Sequence, residues 1–133
     1  MNHIRRISIE SRQRIAVGVG AAIGTLLRAG LGTLAGTVGH AVLWSTLFAN
    51  VAGSLLLGVL LGWRLRHSAP STFTIPFIGI GLLGSFTTFS TFAYETLALT
   101  QQADFLRASV NVLMQVILCL ACVWLGFAVS RML

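Results

Sequence analysis

Four runs of about 20 mostly apolar residues, at 15–34, 42–62, 75–99 and 108–129, take up most of this 133-residue chain. A helix needs about that many residues to cross the hydrocarbon of a bilayer, and there only helices and closed barrels satisfy their own backbone groups. The chain therefore reads as an all-α integral membrane protein of four transmembrane helices. The intervening pieces, including 35–43 and the polar, Pro70-containing 64–74, are too short for a soluble domain. Residues 1–133 thus form one four-helix domain in which successive helices run antiparallel. With 56% hydrophobic residues, the chain has more apolar surface than one soluble core would hide, and the lipid bilayer must cover the rest.

The formal charge of +6 would suggest nucleic acid in a soluble protein. All nine basic residues are arginines, however, and almost all sit at helix ends, where they act as topology signals rather than a nucleic-acid surface. Arg5, Arg6, Arg12, Arg14, Arg64, Arg66 and Arg131 share one face of the membrane, with Arg107 alone on the other and Arg28 inside the first helix. An excess of seven against one predicts both termini in the cytoplasm of a multi-pass protein of the inner (plasma) membrane. The basic leader also has the look of a signal peptide, but no small-residue cleavage site follows it. Cys119 and Cys122 lie one turn apart in the last helix, without the further ligands of a metal site or the βαβ pattern of a redox motif, and read as packing.

Spaced small residues, Gly20 with Gly24 and Gly58 with Gly62, let membrane helices approach closely. No internal repeat is present, and four helices scarcely enclose a pathway, so anything crossing the membrane here needs an oligomer.

The third span is unlike a lipid-facing helix. Gly79, Gly81 and Gly84 weaken it, and the polar run Ser85, Thr87, Thr88, Ser90 and Thr91 follows at once. Non-helical backbone at membrane depth survives only where protein or a water-filled cavity supplies partners. A break near 84–87 is expected, aiming carbonyl oxygens at the bundle interior in a geometry suited to a small cation. The hydroxyls can also bond back to their own helix. Phe86, Phe89 and Phe92 recur every three residues along one side; they pack, or they turn the positive edges of their rings toward an anion.

Asn50 sits in the middle of the second span, where an unbonded amide is expensive. It either ties two helices together or offers its two donors to an anion that has lost its water. Asn111 and Gln115 lie one turn apart on the fourth span and extend that row of donors. Arg28 and Glu95 lie at comparable depth, and two readings stand: Arg28 draws anions into a vestibule, or the two form a salt bridge.

At these residues the chain resembles the Fluc family of fluoride channels, also called CrcB. The likeness rests on Gly84-Ser-Phe-Thr-Thr-Phe-Ser-Thr-Phe-Ala-Tyr-Glu95, on Gly20, Gly24 and Arg28, and on Thr46-Leu-Phe-Ala-Asn50-Val-Ala-Gly53, in the family's order and spacing. It implies an antiparallel dimer with two fluoride pathways and a structural sodium ion at its centre. It also implies that Phe89, Phe92, Asn50, Ser90 and Thr91 line the pathway, that Glu95 is the family's acidic residue, and that the carbonyls of Gly84 and Thr87 hold sodium. Ser85, Ala29, Leu118 and Cys119 depart from the family's pattern, with Asn111 and Gln115 rebuilding part of the polar track. A chain inserting both ways round should have balanced arginines. The bias here therefore points to an oppositely inserted homologue as partner, or to another role for the N-terminal arginines in a homodimer.

Two other functions compete with an uncoupled fluoride channel. A proton-coupled four-helix drug exporter needs an acid in a binding cavity, for which Glu95 alone is available; a non-transporting assembly subunit would use the third span only as glue. Three acids and three histidines, spread thinly, give no catalytic constellation, so the chain is not an enzyme, and His3, His40 and His67 take no role.

Overall fold

A computed structural model describes residues 2–36, 41–66 and 72–132. Helix α1 (Asn2–Ala35) is followed by α2 (Ala41–Arg66), a π-helix (Ile75–Leu83), the single turn α3 (Gly84–Phe86), α4 (Phe89–Gln101) and α5 (Phe105–Met132). Four stretches, Ile9–Ala35, Val42–Arg66, Ile75–Gln101 and Phe105–Met132, are long and apolar enough to span a membrane. The chain is a multi-pass, all-helical membrane protein. His40, His67 and Pro70 lie outside the described residues, as do the side chains of His3, Arg5 and Arg6.

Helix α1 starts well before the expected residue 15. Its 34 residues measure about 51 Å at the α-helical rise, against roughly 30 Å of hydrocarbon, so one end stands clear of the apolar layer. Gln13 Nε2 reaches the Thr72 carbonyl at 3.4 Å, and Arg66 Nη1 reaches the Arg131 carbonyl at 3.2 Å. These bonds tie the first span to the start of the third and the second to the end of the fourth, and Arg12, Arg14, Arg64, Arg66 and Arg131 lie at those ends.

Helix α2 packs on α5, and α1 packs on the π-helix. Both contacts are backbone on backbone. A Cβ added at Gly24 would run into the Leu82 carbonyl, and one at Gly58 into the Val123 carbonyl. Lipid offers helices little hydrophobic incentive to associate, so close approach of this kind is what holds them. The interior is correspondingly polar: Thr46, Asn50, Thr88, Glu95, Gln115 and Ser130 are buried, while Leu26, Trp44 and Trp124 face outward.

The third span differs from expectation in two ways. Its first half is not a weakened α-helix but a π-helix, wound by i→i+5 bonds, with Pro76 accommodated in its first turn. The break falls slightly later than 84–87. Gly84–Phe86 remain helical, and the chain becomes extended at Thr87 (φ −79°, ψ 154°) and Thr88 (φ −149°, ψ 117°). The location follows the partners rather than the glycines, because the backbone opens where the side chain of Asn50 takes up the bonds that the helix gives up.

Candidate functional site: a broken helix and its amides

At the break the Thr88 N–H donates to Asn50 Oδ1 at 2.7 Å instead of to a carbonyl one turn back. Asn50 Nδ2 donates to the Thr88 carbonyl at 3.0 Å and to Gln115 Oε1 at 2.9 Å. Asn50 thus joins α2, the break and α5. The Thr88 hydroxyl caps α4 by accepting from the Thr91 N–H at 3.2 Å, and it lies 3.0 Å from the Thr91 hydroxyl and 3.2 Å from that of Ser90.

These groups border a groove of about 420 Å³ whose lining includes Asn50, Thr88, Phe89, Phe92, Gln115 and Cys119, together with Gly84 and Thr87. Among the described residues its lining has no charged side chain. Phe89 and Phe92 meet edge to face, with centroids 5.3 Å apart at 68°. Their surroundings differ: Phe92 is 8% exposed, whereas Phe89 is 78% exposed and stands on the outer face of the chain.

A second recess of about 300 Å³ is lined by Thr25, Arg28, Ser45, Thr46, Thr88 and Thr91, among others. Thr88 borders both spaces. Arg28 does not pair with Glu95. Its Nε donates to the Ser85 carbonyl at 3.1 Å, an acceptor whose helical donor would lie beyond the break. Glu95 is buried and accepts from the Thr46 hydroxyl at 2.5 Å, and its second oxygen has no partner among the described residues. Depth along the helix suggested the ion pair; which way each side chain points decided against it.

The fourth-span amides separate. Gln115 joins the groove, while Asn111 Nδ2 donates to the Thr96 hydroxyl at 3.0 Å beside Trp44 and Leu47, away from it. Ser90 is exposed. The Ser85 hydroxyl lies 2.9 Å from the Ala21 carbonyl and 2.7 Å from the Gly81 carbonyl, so Ser85 anchors the span to α1. In the sequence Thr88 is one hydroxyl of a polar run and Thr46 the first residue of a motif, and neither stands out as a site residue. Thr88 carries a readable signal, a hydroxyl residue standing as N-cap where a helix restarts; Thr46 carries none apart from its place in the second-span motif.

No group of three or more His, Cys, Asp or Glu able to hold a metal occurs among the described residues. Backbone carbonyls near the groove, beside the side-chain oxygens of Asn50, Thr88 and Gln115, are the groups that could ligate a hard cation. Gly84 is exposed and has lost the Thr88 N–H as helical partner, and the ψ of 154° at Thr87 takes its carbonyl out of the helical ladder.

Residues 15–127 match the family model described as CrcB-like protein, Camphor Resistance (CrcB). The chain belongs to the CrcB family. Among curated relatives, this CrcB-family chain is 41% identical over 119 residues to the fluoride-specific ion channel FluC of Methylococcus capsulatus, covering 89% of itself but 52% of that protein. It is also 41% identical over 119 residues to FluC of Geobacter metallireducens, covering 88% of itself and 95% of the relative. Identity to FluC of Shewanella amazonensis is 46% over 112 residues, 83% of this chain and 89% of that one. The CrcB chain thus spans about half the length of the Methylococcus relative and nearly all of the Geobacter one.

Proposed function

We propose that this chain is a fluoride-selective channel subunit that lets fluoride leave the cytoplasm by passive electrodiffusion, without enzymatic chemistry. The observation that carries the reading is the convergence of Asn50, Thr88, Gln115, Phe89 and Phe92 on one uncharged groove at a helix break. A small halide gives up tightly held water on entering a membrane, and amide and hydroxyl donors with aromatic edges replace that water. Among the described residues no ammonium or guanidinium lines the groove, so the ion is held weakly enough to leave. Arg28 in the neighbouring recess supplies a positive potential that draws anions toward Thr88.

The exposure of Phe89 supports an assembly of two subunits, which the family resemblance makes antiparallel, since a ring outside its own subunit becomes part of a pathway only when a second subunit covers it. In that assembly a central sodium ion is held by the Gly84 and Thr87 carbonyls. Hard oxygen ligands suit such a cation, and one copy offers too few, so the partner supplies the others. A sodium ion held there would supply positive charge to the exposed carbonyl oxygens. The arginine bias leaves two candidates for the second subunit in the inner membrane, an oppositely inserted homologue or another copy of this chain whose N-terminal arginines act in another way.

Fluoride efflux from liposomes containing the purified chain, measured with a fluoride electrode, tests the reading. Efflux without a proton gradient and undiminished by excess chloride is expected. Efflux only with a proton gradient would favour the drug-exporter class, and none at all an assembly subunit. Mapping the termini of the chain expressed alone tests the assembly: a single orientation with no antiparallel dimer sinks the homodimer.

A further inference from the structure

One backbone group fixes the orientation of two amides. The Thr88 N–H can only donate, so the Asn50 atom 2.7 Å from it must be the oxygen. The Asn50 –NH2 is thereby turned to its other neighbours, the Thr88 carbonyl at 3.0 Å and Gln115 at 2.9 Å, and both its protons are engaged. The Gln115 atom that meets it must accept, so it is the oxygen, and the Gln115 –NH2 is forced to face away. That nitrogen has no partner among the described residues, in a side chain only 5% exposed that borders the groove beside Phe92. A buried amide donor without an acceptor is costly, and one so rigidly imposed calls for a ligand.

We propose that the side-chain amide donor meeting the anion is Gln115 Nε2, and that Asn50 is the positioning residue that orients it. The assignment rests on the fluoride-channel reading above. Asn50 has no proton to spare: giving one to an anion would strip the Thr88 carbonyl or the Gln115 oxygen of its donor. Gln115 has two, and an arriving fluoride supplies the acceptor they lack. Nε2 is closed to solvent in this conformation, so contact requires a side chain of the groove wall to move. Fluoride then displaces no existing hydrogen bond when it binds and breaks none but its own when it leaves.

The test uses the full chain in lipid nanodiscs, labelled with 15N-glutamine and 15N-asparagine and titrated with sodium fluoride, with sodium chloride as control. The side-chain NH2 signals of Gln115, identified by their loss in Gln115→Met, should move saturably with fluoride, while those of Asn50 stay nearly still. Movement of the Asn50 signals with Gln115 unmoved would overturn the assignment. In Asn50→Asp, which keeps an oxygen for the Thr88 N–H but loses the –NH2, the fluoride response of Gln115 should fall at least fivefold; an unchanged response would remove the positioning role. In liposomes, Gln115→Met and Gln115→Glu, the latter keeping an oxygen toward Asn50, should each slow fluoride efflux at least tenfold. Wild-type rates in both would refute the proposal even though the channel reading stood. A wild-type chain passing no fluoride would bring down both. Should the variants fail to fold, 13C,15N labelling of the wild-type chain assigns the Gln115 and Asn50 side chains through their own backbones, and its fluoride titration decides alone.

Discussion

The Thr46 hydroxyl donates to Glu95 Oε1 at 2.5 Å and joins α2 to α4 in the protein interior. With the other carboxyl oxygen unpartnered among the described residues, this bond is the main support of a buried acid. Thr46→Val, nearly isosteric, should cost about 1–3 kcal/mol of stability, while Thr46→Ser should retain most of it. Unfolding in mixed micelles with increasing dodecyl sulfate measures both.

Two glycines of α1 should respond oppositely to alanine. At Gly24 the new methyl meets the Leu82 carbonyl, a backbone atom that cannot step aside, whereas at Gly30 nothing lies within 4 Å. Gly24→Ala should prise α1 from the π-helix and destabilise by about 1–3 kcal/mol. Gly30→Ala should be neutral or stabilising by up to about 1 kcal/mol, as alanine is the better helix former. Equal effects in the same unfolding assay would contradict the packing described.

The two rings of the groove should separate folding from transport. Phe92 is buried, so Phe92→Ala should lower the unfolding free energy by roughly 3 kcal/mol and also slow fluoride efflux. Phe89→Ala should leave the stability of the chain within about 0.5 kcal/mol and still abolish most efflux. Comparing denaturation with electrode-measured efflux for the two variants checks this.

Much of this architecture is legible in the sequence, for a definite reason. Length and polarity along one dimension suffice to find four spans and to mark the third as broken, because a bilayer penalises unpartnered backbone. The π-helix is not legible: Pro76, Gly79 and Gly81 weaken an α-helix without selecting an i→i+5 alternative. Nor is the bond between Asn50 and Gln115, 65 residues apart, which depends on how α2 and α5 are rotated about their axes. Asn111 and Gln115 share a helical face by spacing, yet the crossing of α4 over α5 assigns Asn111 to Thr96 and Gln115 to the groove.

The same lesson gives a prediction for Arg28 and Glu95, whose similar depth suggested an ion pair. Arg28 bonds instead to the Ser85 carbonyl and Glu95 to Thr46. A double-mutant cycle with Arg28→Gln and Glu95→Gln should give a coupling below about 0.5 kcal/mol in stability. A coupling of several times that size would restore the salt bridge.

The turn between α4 and α5 stores a little strain. Ala103 adopts φ 58°, with its N–H bonded to the Thr100 carbonyl and that of Asp104 to the Leu99 carbonyl. Glycine is the usual occupant of that place in such a helix end. Ala103→Gly should therefore raise stability by about 1 kcal/mol, seen as a higher dodecyl sulfate midpoint.

The outward position of Phe89 has a genetic corollary. Quality control inspects whether a subunit folds, and a lesion at this rim would escape it: the damaged copy would be made, inserted and kept. Where two copies of this chain pair, a cell carrying intact and altered alleles would draw both into its complexes, and the faulty copies would spoil sound ones, so loss at Phe89 would behave as dominant where loss at Phe92 would be recessive.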